Sequence, residues 1–124
     1  MERSEIINMP AGREMDALIA LICGWQIYDF TAVSPTGSGN SRTAHGDDDW
    51  LPYYSSSIEA AWEVVEAMRK KDFGFYLEWR QENSREPLPW ALFSNDANEM
   101  EFCCVAETVP LAICRAVVLA CKSE

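Results

Sequence analysis

Apolar residues recur at helical spacing at Met15, Leu18, Ile19 and Ile22, and Gly24 supplies a stop, so the pattern predicts an amphipathic helix from about Glu14. Asp16 falls on its polar face. The first ordered element is expected near Met9 and Pro10, with Asn8 or a neighbour as cap. Residues 26–33 follow, with Ile27 and Val33 on one side and Tyr28, Phe30 and Ala32 on the other, the pattern of a strand covered on both faces. Residues 34–49 are polar, with three glycines and three consecutive aspartates, and predict a mobile loop.

A second helix is expected after Ser55. Ser56 and Glu59 fit a capping box, and Ile58, Ala61, Trp62, Val65 and Met68 form its apolar stripe. From Phe73 the period drops to two: Phe75, Leu77 and Trp79 share one face, while Tyr76, Glu78 and Arg80 share the other. Turns near 81–89 and 95–99 separate two more strands, over 90–94 and 100–107. The last helix runs over about 109–121, with Thr108 as its N-cap. It has almost no polar face apart from Arg115, as expected of a helix covered on most sides. The order of elements predicts a single domain over 1–124 of α+β class. Its architecture is an α-β-α sandwich, with a mainly antiparallel sheet of about four strands and three helices on its two faces.

Charge narrows the function. The chain has 20 acidic and 10 basic residues among 124, a formal net charge of −10, which weighs against direct nucleic-acid binding, where affinity comes from Lys and Arg. The longest mainly apolar run, over 109–121, is too short to cross a bilayer. The N-terminus lacks the basic segment and apolar core of a secretory signal. Five cysteines, Cys23, Cys103, Cys104, Cys114 and Cys121, lie mostly in apolar surroundings without CxxC spacing. Reduced thiols in a cytoplasmic protein are expected, in preference to an intermolecular disulfide through Cys121.

No GxSxG, Walker loop or HExxH is present, and the one histidine, His45, sits in the polar loop. His45 with Asp47, Asp48 and Asp49 reads as a solvated acidic turn in preference to a metal site. The chain is therefore expected to be no enzyme, with no cofactor and no metal. The candidate binding residues are at two helix starts: Tyr53, Tyr54, Ser55 and Ser56 before the middle helix, and Thr108 before the last. Helix N-termini offer free N–H groups to an anion, tyrosine rings can stack on a base, and Arg115 can grip a phosphate or carboxylate. The plainer role of the same residues is structural, as helix caps, with Arg115 paired to Glu107 or Asp16. Among the tryptophans, Trp62 and Trp79 are expected in the core, Trp25 as a plug at one end, and Trp50 and Trp90 at exposed contacts.

Three segments, AGREMDALIALICGW over 11–25, PYYSSSIEAAWEVVEAM over 52–68 and TVPLAICRAVVLA over 108–120, resemble the phage α-β-α sandwich domain family of small bacteriophage and prophage proteins. The resemblance implies the fold already derived and a setting inside a bacterial host. It is associated with action against host defence and implies no mechanism. The leading expectation is a non-enzymatic protein that sequesters a small anionic, nucleotide-derived ligand. The alternative is an acidic inhibitor of a basic defence effector such as a CRISPR nuclease, meeting it through Asp47, Asp48, Asp49, Asp96, Glu99 and Glu101. A third is a structural or regulatory phage protein without a ligand. A homodimer sharing one pocket is compatible with each.

Overall fold

The described residues of the computed structural model are 2–28, 31–33, 41–43, 51–81, 86–95, 97 and 99–122, with backbone only for those over 27–50. Within them the chain forms α1 (Arg3–Ile7), α2 (Arg13–Ile22), β1 (Gln26–Tyr28), β2 (Thr31–Val33), β3 (Ser41–Thr43), α3 (Ile58–Lys70), β4 (Gly74–Arg80), β5 (Leu88–Asn95), β6 (Met100–Val105) and α4 (Val109–Lys122). The element order is α+β.

The helix α2 ends as its sequence predicts. Gly24 takes a left-handed φ of 97°, and the Trp25 N–H reaches back to the Ala20 carbonyl at 2.9 Å, closing the turn that a glycine permits without steric cost. Its start differs from expectation. Asn8 belongs to the end of the unpredicted α1, where its side-chain amide donates to the Ser4 carbonyl, and Gly12 precedes α2. Asp16, expected on the wet face, is 1% exposed.

The N-cap of α3 is Ser57, whose hydroxyl accepts the Ala60 N–H at 3.4 Å. The cap therefore lies one residue beyond the predicted Ser56. The register of burial follows: Ala61, Val64, Val65 and Met68 are buried, whereas Trp62 and Ile58 stay 48% and 45% exposed. Trp62 rests the edge of its ring on Phe75, centroids 5.7 Å apart. Thr108 caps α4 as expected, accepting the Leu111 N–H at 3.4 Å. From Pro110 to Leu119, every side chain of α4 except Arg115 is buried.

The strands β4, β5 and β6 form an antiparallel meander in which Phe75 pairs with Phe93 and Phe93 with Phe102. Phe75, Leu77, Ala91, Phe93, Phe102 and Cys104 lie on the face packed against the core helices. Trp79 shares their parity but lies near the end of β4 and is 62% exposed, so it is no core residue. The opposite face carries Tyr76, Glu78, Arg80, Leu88, Trp90, Cys103 and Val105.

Residues 26–33 do not add a fourth strand to this sheet. β1 pairs with β2, and β2 with β3, in a separate three-stranded antiparallel sheet. Pairing with the nearest segment of chain closes a shorter loop and costs less entropy than reaching a distant edge. β3 also places a strand inside the segment expected to be loop; the rest of that segment, with His45, Asp47, Asp48 and Asp49, lies outside the described residues, as does Trp50 after it. No helix is long and apolar enough to cross a membrane among the described residues.

Candidate functional site

The end of β4, the start of β5 and the end of β6 meet at one corner of the meander, because the register aligns Arg80 with Leu88 and Trp90 with Val105. A cleft of about 550 Å³ opens at that corner. α1 contributes Arg3 and Ile7 to it, β4 contributes Arg80, β5 contributes Leu88 and Trp90, β6 contributes Cys103, Cys104 and Val105, and α4 contributes Arg115; Glu86 is its carboxylate.

Three arginines thus line one cleft in a chain whose net charge is −10. They are held differently. Arg80 lies over the Trp90 ring, 3.6 Å from its centroid, and pairs with Glu78. That contact holds the Glu78 carboxyl below its ordinary range. Arg115 donates from Nε to the Met9 carbonyl at 2.9 Å and from a terminal nitrogen to the Val105 carbonyl at 3.3 Å. It does not pair with Glu107 or Asp16, the partners its sequence position suggested. Arg3 has no carboxylate partner among the described residues. Burial pushes the Cys104 thiol up, against the pull of the Arg115 and Arg3 charges.

The residues at the two helix starts do not meet here. The cleft includes Arg115 but none of Tyr53, Tyr54, Ser55, Ser56 and Thr108. Tyr54 is 2% exposed; its hydroxyl accepts the Trp25 indole N–H at 3.0 Å, and its carbonyl accepts the Cys114 thiol. Ser55 is equally buried and bonded to Asp16. Tyr53 lies beneath the Arg13 guanidinium, 4.2 Å from its ring centroid, while Ser56 is exposed. These side chains tie α2 to the segment before α3, and Thr108 serves as a cap. Of the six acidic residues singled out, Glu99 and Glu101 are exposed on the β5–β6 turn and on β6; Asp96 lies outside the described residues.

Arg3 and Arg80 were not anticipated from the sequence. Arg80 was legible as a cation two residues after Glu78 on the polar face of a strand, but nothing in the pattern showed which neighbours a hairpin would bring to it. Arg3 is on a helix of five residues, too short for periodicity to reveal. Among the described residues, no three His, Cys, Asp or Glu side chains gather closely enough to hold a metal ion.

Fold and cleft together define a small α+β domain with a cationic cleft at one corner of its sheet. The phage ABA sandwich domain model matches residues 18–118 of the 124, and the chain belongs to that family. No curated protein and no solved structure matches the chain.

Proposed function

We propose that this phage-family protein is a non-enzymatic binder that sequesters a small anionic, nucleotide-derived ligand in the corner cleft, acting against host defence in the bacterial cytoplasm. The observation that supports this reading is the gathering of Arg3, Arg80 and Arg115 on one cavity of an acidic chain. Like charges brought together repel, and an anion offsets that cost while forming charge-assisted hydrogen bonds. Planar guanidinium groups suit phosphate and carboxylate, and the Arg80–Trp90 stack beside them offers a flat surface for a base. The ligand-contact role moves from the helix starts, whose tyrosine and serine are used internally, to the arginines.

Isothermal titration with a panel of cyclic dinucleotides and ADP-ribose nucleotides tests the reading. At least one is expected to release heat, with affinity reduced more than tenfold in Arg3→Glu. Silence across the whole panel overturns it. The acidic-inhibitor alternative rests on exposed carboxylates, which are ordinary on a chain of this charge. The arginine cleft is the more specific feature.

A further inference from the structure

β6 is the last strand of its meander, and no described strand pairs with its outer side. The register shows which of its backbone groups face outward. The Ala106 N–H donates to the Pro89 carbonyl at 3.2 Å, so the alternating ladder turns the amides of Cys104 and Phe102 toward β5 as well. The N–H and C=O groups of Glu101, Cys103 and Val105 therefore point away from the sheet. The Val105 carbonyl confirms the parity, since its acceptor capacity goes to Arg115 on α4. The amide pair of Cys103 and the N–H of Val105 have no described strand opposite them, and both residues line the cationic cleft.

We infer that this edge is an interaction surface for an extended segment of a partner protein, which adds to β6 as a further strand and places a carboxylate between Arg3 and Arg115. Backbone pairing supplies affinity in such strand addition, and neighbouring pockets supply specificity. Ile7, Leu88 and Trp90 provide apolar contacts in the cleft. The charge argues for the occupant. Arg80 is already paired with Glu78, but Arg3 and Arg115 have no carboxylate partner among the described residues and favour an acidic segment. A second copy of this chain instead brings a charge of −10 against another −10. Nothing in this surface depends on the nucleotide reading, because it uses the backbone of β6, which a small anion does not require.

The test is selection of displayed nonapeptides, randomised at every position, against the purified full-length protein. Binding of the enriched peptides is then measured by fluorescence polarisation to the unaltered chain, Cys103→Ala and Cys103→Pro. Proline removes the outward N–H at a position that donates nothing to β5, a placement edge strands accept; alanine keeps the donor. Selected peptides are expected to be enriched in Asp or Glu. Their affinity should fall at least tenfold in Cys103→Pro and in Arg3→Glu, and stay within twofold in Cys103→Ala. Thermal melts verify that each variant is folded, and Arg3→Glu, on the exposed side of α1, carries the test if Cys103→Pro does not fold. Selection that yields no binder, binders without acidic enrichment, or binding indifferent to both the proline and Arg3→Glu overturns the inference. So does self-association through the same edge, seen by light scattering as a dimer that Cys103→Pro abolishes.

Discussion

The carboxylate of Asp16 accepts both the backbone N–H of Ser55, at 2.8 Å, and its hydroxyl, at 2.7 Å, across a sequence separation of 39 residues. The other carboxylate oxygen takes the Arg13 guanidinium at 2.7 Å. Arg13 in turn donates to the Leu51 carbonyl at 2.7 Å and lies over Tyr53, while the Ser55 hydroxyl accepts the Gly12 N–H at 3.0 Å. Burying a charge is costly unless hydrogen bonds offset it. Here the Asp16 carboxylate is bonded through both oxygens, while the buried Arg13 Nε has no partner among the described residues. This cluster fixes the start of α2 against the approach to α3.

Removing Asp16 is therefore expected to be severe. Asp16→Ala strands the Ser55 donors in the interior and leaves Arg13 without its counter-ion, a loss of about 3–5 kcal/mol by the usual scale for broken buried pairs. Ser55→Ala removes one partner and should cost about 1–3 kcal/mol. Urea denaturation of the two variants checks both the magnitudes and their order. A loss for Asp16→Ala no larger than that of an exposed substitution would show the cluster to be dispensable.

Arg115 has a different structural task beside its place in the cleft: it holds the Met9 carbonyl, and with it the end of α1, to the end of β6. Arg115→Ala should loosen residues 3–9 while leaving the meander intact. Hydrogen exchange at the amides of α1 is expected to accelerate about tenfold, whereas amides of β5 keep their protection. Arg115→Lys retains charge but lacks the planar fork that reaches two carbonyls. It should recover only part of the protection.

The elements with strong periodicity were legible, and the departures have specific causes. The last helix and the meander follow directly from an almost unbroken apolar run and from period-two alternation. Asp16 was misplaced because a helical pattern ranks a carboxylate as wet, and only the distant Ser55 and Arg13 make its burial tolerable. Trp79 was misplaced because alternation assigns a face and says nothing of where along a strand the helical cover ends. The cleft was hidden for the same reason. Its arginines come from α1, β4 and α4, and only hairpin register and helix packing bring them together.

Trp62 and Phe93 should respond to truncation in opposite measure to their size. Trp62 is half exposed and touches the Phe75 ring by its edge, so Trp62→Ala should cost only about 1 kcal/mol, the scale of an aromatic pair. Phe93 is fully buried in the central strand, its ring centroid 5.0 Å from that of Phe75. Phe93→Ala leaves a cavity that the sheet cannot close and should cost about 3–5 kcal/mol. Equal shifts in melting temperature for the two would contradict the burial pattern.

Alkaline pH should destabilise the fold through its buried thiols. Burial pushes Cys23 up from 9.0 to about 11, and desolvation raises Cys114 further still, with the nearby Asp16 charge adding to it. A thiol is neutral when protonated, so a raised folded-state value means that the native chain keeps its proton where the unfolded chain has lost it. Below the unfolded value of about 9 both states are protonated, and stability is unaffected by these groups. Above it the unfolded state binds fewer protons than the native one, and stability falls as pH rises. For Cys23 the loss extends through the window from about 9 to about 11 and amounts to roughly 2–3 kcal/mol at 1.36 kcal/mol per unit. Urea midpoints measured at pH 7, 9 and 10.5 should decline across the upper interval. Relative to the unaltered chain, Cys23→Ala and Cys114→Ala should flatten that decline, whatever each variant does to stability at pH 7. A slope unchanged in both variants would assign the alkaline loss to other groups.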